Sequence, residues 1–474
     1  MRLLDFAFYK YNKINLLKKG RKGMQNSTNK MTQGNEFRQI IMFSLPLVVG
    51  NLFQQTYNMV DSIIVGKHFG ADALAAVGAT GSMTFLFYSL CLGLSVGAGI
   101  MVSQFFGADK HDDVRSSIIN SAYVVLGIGL IISVLSFIFV KPLLILLDTP
   151  DSLIDTSASY MQITCGGTIA VALFNWAAAM MRSFGNVRTP VFALMLANII
   201  NISLDIIFVY GLGLGVASVA WATIIAQFIS GIFTLFVAFK QIGYFRELKH
   251  ELRPKLATII KCLKVGIPIS LQNAMIAISM VVLQRVANGF GEIVMAAYTT
   301  TMRIEQLVQQ PFQSLNAAIA TFAAQNVGAN RYDRAVRGYF ASFKAALAFT
   351  GAIMLAFLLL SRNIVSIFIN DTEVIELASK ALRISCLFYA ALGTIYVTRG
   401  FLNGVGDTKY AMLNGAGEVF GRIVFSFVLL QIGFAHWSVW GTTCLTWVLV
   451  AAMGILRYHK GKWRSHALVD ENPG

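Results

Sequence analysis

The chain has 474 residues, 56% of them hydrophobic and only 13% charged, with a formal charge of +15. A soluble protein of this length carries about 25% charged residues, so a water-soluble enzyme or binding domain is excluded. The excess charge lies in loops between long apolar runs rather than in one basic patch, which argues against nucleic-acid binding.

In chain order, a basic tail over residues 1–39 comes first, with "LLKKGRKG" at its centre. Its apolar stretch "LLDFAF" is too short for a secretory leader, so a cytoplasmic tail is expected. Met24 and Met31 are equally sensible starts, which would make residues 1–23 an upstream extension. Six apolar runs follow, near 41–64, 75–104, 116–140, 156–181, 190–210 and 215–238. A basic linker over 239–258 leads to six more, near 259–284, 293–323, 339–361, 376–398, 409–433 and 437–457, and a second tail over 458–474. Each run is long enough for a membrane helix. The expected architecture is therefore an all-α polytopic membrane protein of twelve spans, in halves over 40–238 and 259–457. If both termini lie on one side, that side holds 29 of the 38 Lys and Arg and the opposite loops five, which places the termini in the cytoplasm.

The first half carries two acids within its spans and no Lys or Arg there. In "LVVGNLFQQTYNMVDSIIVG", Asp61 follows Tyr57 by one turn, and Asn58 is adjacent. An aspartate near the middle of a membrane helix is disfavoured by about 2.5–3.5 kcal/mol, so it is rarely retained without a task. In "LANIINISLDIIFVYG", Asn198, Asn201 and Asp205 form one polar stripe. Thr223 lies in the sixth span and Asn175 in the fourth. A carboxylate in low dielectric with no cation beside it must be protonated, hold a cation or open to water. A cation-coupled carrier cycles among those states, and hard oxygen ligands suit a proton or a small alkali cation. A buried hydrogen-bond network that only joins helices is the alternative.

In the second half, Glu418 and Arg422 are spaced i,i+4 with the acid first and are expected to neutralise each other. Arg303 and Glu305 point to different faces, and Glu305, Gln309 and Gln313 make a polar stripe. With Gln272 and Asn273 they form a candidate cavity lining or a structural network. Gly93/Gly97 and Gly211/Gly215 have the spacing of close helix packing. Five cysteines without a CxxC argue against disulfides and metal clusters, and no phosphate-binding GxxxxGK[ST] loop is present. An ion gradient is the expected energy source, and no cofactor is expected.

The halves repeat at an offset near 221 residues. "FGADALAAV" at 69–77 aligns with "FGEIVMAAY" at 290–298, "QFFGADKHDD" at 104–113 with "QNVGANRYDR" at 325–334, and "FGNVRT" at 184–189 with "VGDTKY" at 405–410. Six spans per repeat bring both halves in from the same side, as parallel repeats around an axis along the membrane normal.

On "SLPLVVGNLFQQTYNMVDSIIVG", "GADALAAVGAT", "QFFGADKHDDV", "RSFGNVRTP" with "NIINISLD", and "RIEQLVQQP…AAQNVGANRYDRA", the chain resembles the multidrug and toxic compound extrusion (MATE) family. The likeness is to its bacterial DinF-like, Gram-positive multidrug branch and runs from about residue 38 to 457. It implies a V-shaped carrier with two six-helix lobes, which exports small cationic amphipathic compounds across a bacterial plasma membrane in exchange for H⁺ or Na⁺. It also implies an N-lobe cation site of Asp61, Tyr57, Asn201, Asp205 and Thr223; action as a monomer is a separate expectation. Some members carry a C-lobe site on acids of helices 7 and 10. Here helix 7 reads "ISLQNAMIAIS" and helix 10 has no acid beyond Glu376 at its mouth, which leaves the N-lobe as the expected coupling site. A flippase for a lipid-linked saccharide is the first rival and would need cavity-facing cations to hold a pyrophosphate. A membrane prenyltransferase is the second, and would need clustered carboxylates for Mg²⁺.

Overall fold

In the computed structural model, residues 30–146, 150–248 and 252–469 are described. Residues 1–29 of the basic tail, with Met24, lie outside the described residues, as do 249–251 of the linker and 470–474 of the second tail. Lipid offers backbone groups no hydrogen bonds, so the apolar runs close theirs internally as helices. The N-lobe consists of α1 (36–69), α2 (Asp72–Gly107), α3 (His111–Leu146), α4 (Asp151–Gly166 and Thr168–Ser183, broken at Gly167), α5 (Arg188–Asp205) and α6 (Ala217–Gln241). The C-lobe consists of α7 (Leu256–Asn288), α8 (Glu292–Gly328), α9 (Tyr332–Ser366), α10 (Thr372–Ser385 continued by Tyr389–Gly404), α11 (Thr408–Gln431) and α12 (Ser438–His459).

Ten of these helices are long and apolar enough to cross a membrane. The remaining two, α1 and α8, have the length but carry more polar side chains, among them Gln54, Gln55 and Asp61 on α1 and Arg303, Glu305 and Gln309 on α8. These two helices meet across the lobes, and Asn51 of α1 donates to Ser314 Oγ of α8 at 3.2 Å.

The repeat is written into the backbone as well as the side chains. Positive φ values recur at the 221-residue offset: Gly70 and Gly291 (both 88°), Asp109 and Asn330 (58° and 55°), and Gly185 and Gly406 (81° and 91°). Gly70 breaks the rod between α1 and α2, and Gly291 caps α8 after α7, in a conformation that a Cβ would strain. Each lobe has its own core. Phe106, Trp176, Phe184 and Phe245 centre the N-lobe, and Phe312, Phe322, Tyr389, Phe401 and Trp447 the C-lobe.

The glycines of α2 trace how the lobes diverge. Toward one end of the helix, Gly93, Gly97 and Gly107 leave no room for a side chain against Ser270, Gly266 and Gln325 of the C-lobe. Toward the other end, Gly78 and Gly81 meet nothing within 4 Å, and neither does Gly70 at the break. The lobes are thus joined at the face that carries the described segments before α1 and after α12, and part toward the opposite face, giving the V.

The two small-residue spacings separate on the same test. Gly93 and Gly97 pack as their spacing implies, whereas a Cβ added at Gly211, Gly213 or Gly215 would meet nothing within 4 Å, and these glycines merely end the helix region of α5. A Cβ at Gly97 would lie 2.6 Å from Gly266 Cα. Gly97→Val is expected to lower stability by about 1–3 kcal/mol through overpacking, and Gly211→Ala to change it by under about 0.5 kcal/mol. Thermal melts of the two purified variants check this contrast.

Candidate cation-coupling site

The polar residues of α1, α4, α5 and α6 converge inside the N-lobe, on the arm that leads away from the junction. Asp205 is the last residue of α5, and Ile206–Gly211 continue it as a π-helical turn, a widened geometry frequent at functional sites. Its side chain is fully buried, and no N–H or hydroxyl donor reaches either carboxylate oxygen. Asp61 of α1 faces Asp205 and Thr223, and its Oδ1 is also buried without a partner. One turn before Asp205, Asn201 donates to Thr223 Oγ1 at 3.3 Å and leaves its own Oδ1 unpartnered. Thr223 in turn donates to the Val219 carbonyl at 3.2 Å. Tyr57 stands beside Asp61 and Asp205.

The five residues expected from the sequence are therefore neighbours. Two more join them, Tyr160 of α4 and Gln227 of α6, both beside Tyr57. Gln227 follows Thr223 by one turn and its Oε1 is unpartnered, so its spacing was a legible signal. Tyr160 sits in "SASYMQ" and gave none. Asn198 is buried on α5 with an unpartnered Nδ2. Asn58 is exposed, and Asn175 donates to the Val171 carbonyl of its own helix at 2.9 Å, so neither joins the cluster.

Neither acid is in an ion pair among the described residues. Arg182 lies in α4, just past the expected span end at 181, next to Ser183 at the junction end of the lobe. Two carboxylates that face each other with no cation at hand are stabilised by a shared proton or a bound cation. The donor set is oxygen throughout, from carboxylates, amides, a hydroxyl and phenols, and so matches hard cations.

The C-lobe interior is built differently. Glu418 accepts from Arg399 Nη2 at 3.2 Å and pairs with Arg422 Nη2 at 3.6 Å. All three are buried. The expected two-residue pair is thus a triad. Arg399 was missed because α10 runs on to Gly404, past the span end expected at 398, which brings this base indoors. Glu305 Oε1 is buried without a partner, near Arg422, and lines a small cleft with Tyr298, Gln309, Trp440 and Trp447. Gln309 accepts from Tyr396 Oη at 3.0 Å. Gln272 donates to Asn414 Oδ1 at 2.9 Å and ties α7 to α11, with Asn273 half-buried next to it. Arg303 is exposed.

Comparison with known proteins adds three findings. The family description MatE matches the chain twice, over residues 46–207 and 268–428. The second match begins 222 residues after the first and ends 221 after it, in the register of the repeat. The "Probable multidrug resistance protein YpnP" of Bacillus subtilis is 27% identical over 93% of this chain and 98% of its own length. An "FAD transporter" of Shewanella oneidensis is 24% identical over 77% of this chain and 82% of its own. Among solved structures, an outward-facing multidrug resistance MATE family transporter superposes with a TM-score of 0.85 and 21% identity, over 93% of this chain and 99% of that one.

Proposed function

The chain belongs to the MatE family of multi-pass membrane transporters, and we propose that it is an antiporter that expels cationic amphipathic compounds in exchange for H⁺ or Na⁺. The observation that carries this reading is the N-lobe pair Asp61 and Asp205, which face each other with three buried carboxylate oxygens that no N–H or hydroxyl donor reaches. Protonation or cation loading of the pair removes its negative charge, and release restores it. Free carboxylates attract a cationic drug, whereas a loaded site does not. Ion and drug therefore compete through charge, and uptake of one favours release of the other. By linkage, bound drug weakens ion binding by the same factor.

The termini are read as cytoplasmic from the loop charges, and the two-lobe carrier as complete in one monomer, since the site lies within a single lobe. Transport of anionic compounds is the second reading, because one relative is named for FAD. It is the weaker one, because two of the buried C-lobe arginines, Arg399 and Arg422, are held by Glu418 and the N-lobe site is acidic. The same pairing disfavours a pyrophosphate-binding flippase.

The test is efflux of a fluorescent cationic dye from proteoliposomes with pH and Na⁺ gradients imposed separately. One gradient should drive efflux at least tenfold above the rate without a gradient, and its collapse by ionophore should stop it. Equal rates with and without both gradients would refute antiport.

A further inference from the structure

The repeated motif "QFFGADKHDD"/"QNVGANRYDR" lies far from the coupling site, yet its glutamines are fully buried. Gln104, at the end of α2, donates through Nε2 to the Gly404 carbonyl of the opposite lobe at 2.9 Å. Gln325, its mate at the end of α8, donates to the Ser183 carbonyl of the N-lobe at 2.8 Å. Ser183 and Gly404 stand at the same 221-residue offset as the glutamines, so one bond is the image of the other under the pseudo-twofold axis.

The acceptor ends of the two amides are used as well. The backbone N–H of Leu468, in the segment after α12, donates to Gln104 Oε1 at 2.7 Å. The backbone N–H of Met31, in the segment before α1, donates to Gln325 Oε1 at 2.7 Å. Each terminal segment thereby leaves its own lobe and is held by a glutamine of the other. The N-terminal segment is fastened further by Arg331 to the Thr32 carbonyl at 2.7 Å, Arg334 to the Gly34 carbonyl at 2.7 Å, Asn326 to the Met31 carbonyl at 3.1 Å, and a Lys30–Asp109 ion pair. Between the glutamines, Gly107 lies against the Gln325 backbone and Gly328 against the Gln104 backbone, with no room for a Cβ at either.

We propose that Gln104 and Gln325 are the gating residues of this carrier: a symmetric pair of amide latches that closes the face bearing the segments around Met31 and Leu468 and makes those two segments part of the gate. An amide suits the task. Its donor and acceptor ends are both bonded when the lobes meet, and water replaces those partners when they part, so the closed state is favoured without being locked. The proposal rests on the transporter reading above, because a gate is needed only by a carrier that alternates its access.

The test labels Asp113→Cys and Asp333→Cys, two exposed positions on opposite lobes at this face, with nitroxides. The five native cysteines are buried, which leaves the introduced pair as the reactive sites. Distances are measured on the full chain in nanodiscs, with neither substrate nor ion gradient. In Gln104→Ala/Gln325→Ala the ratio of long to short separations should rise at least tenfold, about 1.4 kcal/mol. Should that variant fail to purify as a single species, Gln104→Glu/Gln325→Glu keeps the shape but sets a carboxylate against each carbonyl, and should open the gate too. Ser230→Ala, which breaks a buried bond to the Ala193 carbonyl within one lobe, should change nothing. An unchanged distribution in both glutamine variants, or an equal change in Ser230→Ala, would overturn the latch. The readout is independent of what is transported, so failure of antiport and failure of the latch are separate results.

Discussion

Asp61→Asn is expected to reduce gradient-driven dye efflux at least tenfold while the protein still inserts and purifies as a single species. Asparagine keeps the volume and hydrogen-bonding capacity of aspartate but cannot exchange a proton or neutralise a cation. Asp61 Oδ1 has no partner to lose, and no Lys or Arg is left bare by the change. Loss of transport therefore comes without loss of folding, and thermal stability should hold or rise, since an uncompensated buried acid is removed. Asp205→Asn should behave alike, because both of its oxygens are buried and unpartnered. Efflux from proteoliposomes, paired with a melt of the same preparation, checks both statements. Efflux at the wild-type rate in either variant would make that acid structural.

Glu418 is expected to fail in the opposite way. Glu418→Gln strips the counter-charge from both Arg399 and Arg422, and breaking a buried ion network in this manner costs about 3–5 kcal/mol. The effect should appear as lost folded yield and a lower melting temperature before any effect on coupling. Exchanging the charges, Glu418→Arg with Arg422→Glu, would be tolerated if the two formed an isolated i,i+4 pair. Arg399 rules that out, because the new arginine would replace the carboxylate that Arg399 now bonds at 3.2 Å and set two cations against each other. The double exchange should be at least as damaging as either single change. Adding Arg399→Glu mirrors the whole triad and should recover part of the yield. Recovery by the double exchange alone would mean that Arg399 is not a member.

These opposite expectations for buried acids turn on what was legible in the sequence. Asp61 and Asp205 stood out because their helices hold no base within the span, and that is a property of each segment by itself. The stripe Asn198, Asn201 and Asp205 was legible because helical spacing puts residues three, four and seven apart on one face. Arg399 was not legible, since a one-residue difference in where a span ends decides whether a base counts as loop or core. Tyr160 was not legible for another reason: a tyrosine in a membrane helix gives no sign of which helix it will meet.

By itself the sequence determined the twelve helices, the register of the repeat and the acidic character of the first half. Hydrophobicity, helical period and self-similarity are local quantities, additive along the chain and independent of partners. The tertiary structure alone decided which glycines pack, since Gly97 and Gly211 share a spacing and differ only in whether another helix arrives. It also decided that Glu418 serves two arginines, that Tyr160 stands beside the acid pair, and that Gln104 and Gln325 reach across to carbonyls 300 and 142 residues away. Such contacts depend on the relative placement of helices whose sequences carry no mutual reference. Their energy comes from satisfying buried polar atoms, and which atoms are buried together is known only once the helices have packed.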